Sequence, residues 1–272
     1  MRKMIERAGP SASSLWWARS GRKTLAVALA VESPGHTAGL FFSRPDTPGV
    51  DRQRLVELIA AISQDVLDRG VSMVQSLIEP HHFDRIEVLI DSGMFLLANL
   101  LYLARDLMRS PPDRPAETDE LVWRSFEEFT EAQLADVISR TYAESLDCPA
   151  LRGVRRLEDV ITGHKSSGIF CPEAWWIVGY RDQPPAGCIL VNDSAYGPSS
   201  DIIYIGLAPE FRRRGLARAM LNRAIGQAAD RSRRGISVAV DTDNPPAMSL
   251  YQQAGFIETN SRLAYAKLKT RS

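Results

Sequence analysis

A turn of three arginines stands directly before a helical pattern in the second half of the sequence. Arg212, Arg213 and Arg214 are followed by Gly215 within the stretch GLAPEFRRRGLARAML, residues 206–221. The N-terminus of a helix already carries free N–H groups and the positive end of the helix dipole, so extra cations are repelled there unless an anion is bound. The turn therefore predicts a site for an anionic ligand.

Phosphate is the anion that this turn fits best. Gly215 lets the backbone approach a ligand closely, and successive N–H groups at a helix N-terminus bind phosphate. No GKS or GKT follows, which excludes a Walker loop, and a single glycine does not make a GxGxxG dinucleotide fingerprint. The pattern that remains is R-x-x-G-x-A after a strand, filled by Arg212, Gly215 and Ala217. An exposed charged turn without a ligand is the alternative.

A second stretch whose residue types could take part in catalysis is NPPAMSLYQQAGF, residues 244–256. Asn244 is a good N-cap, and Pro245 suits the first helical position. Tyr251 lies on the face of this short helix that carries the apolar side chains. A tyrosine there can be a proton donor or a core aromatic, and the residue types alone leave both readings open.

The elements that must position these residues alternate between strands and helices. AWWIVGYRDQPPAGCILV predicts two strands and DIIYIGLAP a third. A helix is predicted from Leu216 to Asp230, followed by a stop at Gly235. ISVAV then alternates as a strand, and FIETNSRLAYAKLK supplies the final strands.

The first half of the chain repeats this order of elements. Strands are predicted first, over LWWARSGRKTLAVALAVES and TAGLFFSRP, and a helix follows at about residues 52–68. The next strand is VSMVQSL, and a second helix covers about residues 82–91. A duplication is favoured over the alternative that all α/β proteins carry glycines at helix ends. The turn glycines recur at intervals of about twenty residues in each half: Gly49, Gly70 and Gly93, then Gly215, Gly235 and Gly255.

The two copies differ where chemistry is expected. The first copy has Asp46 where the second has Arg212, and Leu89 where the second has Tyr251. We therefore expect the first half to be a degenerate scaffold without a cofactor site. The proline-rich stretch SPPDRPAETD, Ser110–Asp119, is interpreted as a linker, which gives predicted domains at residues 1–112 and 118–272.

The composition of the chain argues against several classes of binding partner. The 272 residues have a formal net charge of zero, so no global basic field predicts nucleic-acid binding. The three cysteines form no CxxC pair, which favours a reducing compartment, and no Cys/His cluster has zinc spacing, so we expect no metal. The N-terminus lacks the apolar core of a signal peptide, and the apolar runs at 24–31 and 94–104 are too short to span a membrane. They are interpreted as buried strands, and the protein is expected to be cytoplasmic with no membrane partner.

Taken together, the two motif stretches resemble the GNAT acetyltransferase superfamily. The turn matches the family pattern Q/R-x-x-G-x-G/A, and the later stretch matches N-x-x-A-x-x-L-Y-x-x-x-G-F from Asn244 to Phe256. The resemblance covers roughly residues 119–272, and the two-copy layout is similar to that of tandem GNAT proteins such as mycothiol synthase. It implies an α/β (α+β) fold of tandem GNAT domains, each a mixed, largely antiparallel sheet flanked by helices, with the N-terminal one truncated.

The resemblance also implies acetyl-CoA (CoA) as the cofactor. Tyr251 would protonate the departing thiolate, Asn244 would lie near the cofactor, and Gly206 would sit at a bulge of the strand that holds the pantetheine arm. The residues expected to contact the cofactor are Ile205, Gly206, Leu207, Arg212, Arg213, Arg214, Gly215, Leu216, Ala217, Arg218 and Asn244.

The general base is not apparent from the sequence. A free alkyl amine has a reference pKa of about 10, so it must lose a proton before it attacks. Where some relatives place a glutamate, this chain has Ala239. Asp241, Asp201 and Glu173 are candidates near strand ends, each interpreted as a solvated surface acid, and a water chain is the alternative.

Function is therefore expected to be transfer of an acetyl group to a primary amine of a small molecule or peptide, by direct attack in a ternary complex. A non-catalytic acetyl-CoA sensor or scaffold is the first alternative, and a partner-binding protein without CoA is the second. The acceptor is not encoded in any readable motif, and a homodimer stays open as the state of assembly.

Overall fold

A computed structural model of the chain describes residues 13–109 and 120–269. The predicted linker, residues 110–119, lies outside the described residues. Within the described ranges the chain forms two compact units. The N-terminal unit comprises residues 13–99, 153–155 and 261–269, and the C-terminal unit comprises residues 100–109, 120–152 and 156–260.

Strands and longer helices follow one another in an order close to the predicted one. Their bounds are β1 Ser13–Ser20, β2 Lys23–Ser33, β3 Thr37–Phe42, α1 Arg52–Asp68, β4 Met73–Ile78, α2 Phe83–Asp91, β5 Phe95–Asp106, β6 Leu121–Ser125, α3 Glu131–Thr141, α4 Leu157–Lys165, β7 Trp175–Tyr180, β8 Gly187–Asp193, β9 Ser199–Leu207, α5 Leu216–Asp230, β10 Gly235–Asp241, α6 Pro245–Gln253 and β11 Ile257–Leu268. None of the helices in the described ranges is both long and apolar enough to cross a membrane.

The N-terminal unit is built around α1. β1, β2 and β3 pair antiparallel, β3 and β4 pair parallel, and β4 pairs antiparallel with residues 263–268 of β11. Every second residue from Ala26 to Ala30 of β2 is buried, because alternate side chains of a strand face the same side. These residues pack against α1 in one core, which includes Ala28, Ala30, Leu55, Leu58, Ile59 and Ile62. The run at 24–31 is thus a buried strand, as predicted.

In the C-terminal unit the sheet runs from β6 to β10. β6, β7, β8 and β9 pair antiparallel in turn, β9 and β10 pair parallel, and β10 pairs antiparallel with residues 100–106 of β5. α5 buries one face with 3.6-residue spacing against this sheet. Met220, Leu221, Ala224, Ile225 and Ala228 form that face. The predicted helix over 216–230 is confirmed, and so is the mixed, largely antiparallel sheet flanked by helices.

Each unit is completed by a strand segment from the far side of the predicted linker. Residues 100–106 of β5 belong to the C-terminal unit, and residues 261–268 of β11 belong to the N-terminal unit. The predicted division into 1–112 and 118–272 follows chain order and does not include this exchange. Its break falls among residues outside the described ranges, so the boundary itself stays a prediction.

Both units share the order strand, strand, strand, helix, strand, helix, strand. β6, α3 and α4 precede this series in the second half and have no counterpart between Ser13 and β2. One expected correspondence is wrong. Gly235 does not end α5, because the helix stops at Asp230, the turn follows through Ser232 with φ 58°, and Gly235 is the first residue of β10.

Candidate active site

β9 and β10 pair over a short distance and then separate. Their parallel register joins Ser199–Ile202 to Gly235–Val238 and goes no further. At that point β9 carries an extra residue, since Val191 of β8 pairs with Ile202 whereas Leu190 pairs with Tyr204. Ile203 is therefore a β-bulge, which bends its strand and disrupts the ladder. The two strands part beyond it.

A cavity of about 540 Å³ opens where the strands part. Residues 202–207 of β9 and 238–240 of β10 form its walls, together with the ends of α3, α5 and α6. Of the residues predicted to bind a cofactor or act in catalysis, all but Arg214 line this cavity: Ile205, Gly206, Leu207, Arg212, Arg213, Gly215, Leu216, Ala217, Arg218, Asn244 and Tyr251. Motifs that are about 40 residues apart in sequence thus meet around one space.

Gly206 is not the bulge residue, contrary to the expectation from sequence. It pairs in register with Cys188, and the bulge lies three residues earlier. Glycine is required at 206 for a different reason. A Cβ there would lie 2.7 Å from Tyr204 Oη and 2.9 Å from Thr141 Oγ1, and these two oxygens are themselves hydrogen-bonded at 2.6 Å. Gly206 is therefore a close-packing position against the end of α3.

The free edge of β9 faces the gap. The N–H of Ala208 donates to the carbonyl of Ala186 at 2.9 Å, and backbone groups point to alternate sides along a strand. Gly206 thus turns its backbone towards β8, whereas Ile205 and Leu207 turn theirs to the opposite side. The Leu207 carbonyl there accepts a hydrogen bond from the Arg212 side chain at 3.0 Å. Ile205 presents its N–H and carbonyl to the gap.

The turn before α5 has the backbone shape of an anion site. Arg213 has φ 62° and Gly215 has φ 80°, both in the left-handed region. Alternation of left- and right-handed residues makes successive N–H groups converge into a concave nest. Gly215 is the N-cap and supplies no side-chain cap, and the first helical N–H groups have no intrahelical acceptor. Donors therefore gather at this end of the cavity.

The three arginines of the turn have three different environments. The Arg212 guanidinium donates to four backbone carbonyls, those of Leu207, Thr141, Ala143 and Glu144, at 2.6–3.3 Å. It holds the turn against the end of α3, a role that the sequence did not predict. Arg214 lies over the Phe211 ring, 5.6 Å from its centroid. Arg213 is exposed and lines the cavity, as does Arg218 one helical turn later.

α6 begins and ends as its sequence indicates. Asn244 is the N-cap, and its side-chain oxygen accepts a hydrogen bond from the Ala247 N–H at 3.3 Å. Tyr251 is only 3% exposed, and its ring packs near Phe256 with centroids 5.7 Å apart. The tyrosine is therefore both a core aromatic and part of the cavity wall. The two readings left open by the sequence are compatible.

Protonation at this site is controlled by burial and by carboxylates. Burial, and to a lesser degree the charge of Asp147, raises the pKa of the Tyr251 phenol. The pKa of Asp147 is itself raised, first by burial and then by the charge of Asp241. Asp147 lines the cavity and is itself an exposed residue. The neighbouring Cys148 thiol has a pKa raised to about 12 by burial and the same carboxylates, so it is not a thiolate at neutral pH.

The acids named from the sequence lie elsewhere or differ from expectation. Asp241 is only 3% exposed, so the interpretation as a solvated surface acid is wrong for it. Asp201 accepts a short hydrogen bond from Ser237, and the exposed Glu173 accepts one from the Cys171 thiol at 2.9 Å. Neither Asp201 nor Glu173 is among the described residues that line the cavity. Asp147, which belongs to no motif recognised in the sequence, does line the cavity.

Comparison with known proteins identifies the fold around this cavity. Residues 140–256 match the model of the Acetyltransferase (GNAT) family. These residues are similar to a GNAT acetyltransferase domain. The match spans the end of α3, the arginine turn and α6, and thus most of the elements that enclose the cavity. The family match supports an acyltransferase.

Several solved structures share this fold. A GCN5-related N-acetyltransferase from Sphaerobacter thermophilus aligns with a TM-score of 0.66 at 19% identity, over 96% of this chain and 81% of its own. A tandem GNAT protein from the clavulanic acid biosynthesis pathway aligns with a TM-score of 0.55 at 16% identity, over 97% of this chain and 86% of its own. A glucosamine N-acetyltransferase region of a fungal β-N-acetylglucosaminidase aligns with a TM-score of 0.63 at 14% identity, over 93% of this chain and 33% of its own.

Proposed function

We propose that the GNAT domain is an acetyl-CoA-dependent N-acetyltransferase that acetylates a primary amine of a small molecule or peptide by direct attack. The observation that carries this proposal is the set of groups that line a single cavity. It combines an uncapped helix N-terminus, the open edge of β9, a buried phenol and a carboxyl group with a raised pKa. Acyl transfer from a thioester to an amine requires that the thioester is held, the amine loses a proton and the thiolate gains one, and these groups can serve those needs.

The residues present fit acetyl-CoA. The nest at Arg213–Gly215 and the first N–H groups of α5 suit a pyrophosphate, with the exposed Arg213 and Arg218 as cations beside it. Ile205 offers its backbone N–H and carbonyl to an amide-containing arm, as an added strand would use them. The volume of about 540 Å³ lies within the usual range for ligand pockets. Arg212 then acts by holding the turn, because its guanidinium is committed to backbone carbonyls.

Acetyl-CoA would supply an acetyl group already activated as a thioester, and the protein would manage the protons. An acceptor ammonium must first lose a proton, and two carboxylates line the cavity, those of Glu144 and Asp147. We assign the role of base to Asp147, because its charge acts on the Tyr251 phenol. Tyr251 keeps its proton at neutral pH, because burial raises the pKa of the phenol, so it is available to protonate the leaving thiolate.

The two proton transfers favour each other. The negative charge of Asp147 is one of the two causes that raise the pKa of Tyr251. When Asp147 takes the proton of the amine, that charge disappears, and the phenol releases its own proton more readily.

For the N-terminal unit we propose a scaffold role without a CoA site. β2 and β3 pair in one uninterrupted register, so β3 has no counterpart of the bulge in β9. The buried Ser76 hydroxyl donates to the Leu40 carbonyl at 2.9 Å, and thereby bridges β4 to β3 beyond their parallel pairs. Asp51 caps α1 by accepting from the Arg54 N–H at 3.1 Å. The Asp51 carboxylate therefore occupies the N-terminus of α1, whereas the N-terminus of α5 has no side-chain cap and offers its N–H groups to a ligand.

The proposal is tested in two steps with the full-length protein. Calorimetric titration with acetyl-CoA should show one site per chain, and thioester consumption should then appear with at least one member of a panel of primary amines. Binding without turnover on any amine would favour a non-catalytic sensor. No binding of acetyl-CoA would exclude both the enzyme and the sensor, and would leave a partner-binding protein.

A further inference from the structure

A cluster of side chains of the types that ligate metals lies in the N-terminal unit, and none of them belongs to the proposed acetyltransferase site. Glu79, Pro80, His81 and His82 form the turn between β4 and α2, closed by a hydrogen bond from the His82 N–H to the Glu79 carbonyl at 3.1 Å. Proline favours the second position of such a turn. The turn brings the first and last side chains to the same side, so a glutamate and two histidines converge.

Both imidazoles approach the same carboxylate oxygen. His81 Nε2 lies 3.4 Å and His82 Nδ1 lies 3.9 Å from Glu79 Oε2, and the three ligand atoms all lie within 4.8 Å of one another. A tetrahedral zinc ion with bonds of about 2.0–2.2 Å holds its ligand atoms roughly 3.3–3.6 Å apart. The distance from His81 to Glu79 already fits, and the distance from His82 to Glu79 exceeds the upper value by about 0.3 Å.

Two further contacts favour a metal over a simple ion pair. The Arg262 guanidinium lies 3.0 Å from the other carboxylate oxygen, Oε1, so it orients Glu79 and leaves Oε2 directed at the histidines. Outer contacts of this kind are typical of metal-ligating carboxylates. His82 Nδ1 is enclosed and has no hydrogen-bond partner among the described residues, although buried polar atoms are normally paired. A bound ion would satisfy it.

We propose that Glu79, His81 and His82 bind one divalent transition-metal ion of the Zn²⁺ class, with a coordination position left for water. Two imidazoles and one carboxylate suit Zn²⁺, Cu²⁺, Ni²⁺ and Co²⁺, whereas Ca²⁺ and Mg²⁺ require more oxygen ligands. The sequence predicted no metal because it holds no Cys/His cluster of zinc spacing. A glutamate two residues before a histidine pair carried no such signal until the turn was seen.

The test uses full-length protein freed of metal by a chelator and then dialysed. Calorimetric titration with ZnCl₂ is expected to show one saturable site, CoCl₂ to give the visible absorption of tetrahedral Co²⁺, and CaCl₂ to give no site. Glu79→Gln, His81→Ala and His82→Ala should each weaken Zn²⁺ binding at least tenfold, since even outer-shell changes cost 10–100-fold. His82→Ala removes no helix cap, because the His82 side chain makes no capping hydrogen bond.

The matched control is His36→Asn, which removes another exposed histidine of the same unit and keeps a residue tolerant of its φ of 55°. It should bind Zn²⁺ as the unaltered protein does. Absence of a saturable Zn²⁺ site, binding only at millimolar concentration, or unchanged affinity in all three ligand variants would overturn the proposal. The measurement is independent of acetyl transfer, so its outcome is separable from that of the proposed function.

Discussion

The arginine turn can be tested by adding one methyl group at each of two corresponding glycines. Gly215 has φ 80° before α5, and Gly49 has φ 91° shortly before α1. A Cβ at 215 would meet nothing within 4 Å, and one at 49 would meet only the Lys23 side chain at 3.6 Å. Neither substitution creates a clash, so both act through backbone strain. For an L-residue in a left-handed conformation that strain is about 1–2 kcal/mol.

Only the strain at 215 should affect the ligand. Gly215→Ala can relieve its strain by rotating the turn, which directs N–H groups away from the bound phosphate. Acetyl-CoA must then restore the strained conformation, so its affinity should fall by up to the same 1–2 kcal/mol, which is about 5- to 30-fold. Gly49→Ala should lower the free energy of unfolding by a similar amount and leave acetyl-CoA affinity unchanged.

Titration calorimetry with acetyl-CoA and urea denaturation of both variants provide the comparison. Equal losses of affinity in the two variants would refute the assignment of the turn, because they would show a general effect on folding. An unchanged affinity in Gly215→Ala, accompanied by the expected loss of stability, would show that the turn does not bind the phosphates.

Three further substitutions test the chemistry and the cavity. Tyr251→Phe should lower kcat by about 10²–10⁴-fold with acetyl-CoA affinity unchanged, and unaltered turnover across the pH range would contradict the acid assignment. The rate of the unaltered enzyme should rise with pH through the raised pKa of Asp147, since only the carboxylate accepts a proton. Asp147→Asn should remove this limb from a pH–rate profile and lower kcat, and a retained limb would assign it to another group. Gly206→Ala forces a Cβ to 2.7 Å from Tyr204 Oη, so it should destabilise the protein by about 1–3 kcal/mol and weaken acetyl-CoA binding, as thermal melting and calorimetry would show.

What the sequence predicted well depends on local signals. The helix over 216–230, the Asn244 cap and the position of Tyr251 on α6 each follow from residues within a turn or two of one another. Periodicity, capping and turn glycines operate over that distance. The gathering of the two motifs around one cavity was predictable because the order of elements recurs in a known fold.

The features that the sequence did not predict arise from contacts between distant residues. The bulge at Ile203 depends on the register between β8 and β9, which no single strand encodes. Arg212 reads as a phosphate ligand, yet its guanidinium binds carbonyls about 70 residues earlier in the chain, those of Thr141, Ala143 and Glu144. Asp147 sits in a loop after α3 without any recognisable motif, and only the closing of the cavity makes its carboxyl group relevant.

The exchange of strand segments shows most clearly why the order of elements along the chain does not by itself predict which unit a strand belongs to. Residues 100–106 and 261–268 occupy corresponding places in the repeated order of elements, and both consist mainly of half-buried and buried positions. Because a strand is selected by its partners across the ladder as much as by its own pattern, either segment suits either unit by local criteria. The structure pairs 263–268 with β4 and places Tyr265 in the core of the N-terminal unit. The N-terminal unit therefore requires the end of the chain, and the C-terminal unit requires residues that precede the predicted linker. Each unit thus contains residues from both sides of the predicted linker, so the sequence on one side of the linker does not include all the strands of its unit.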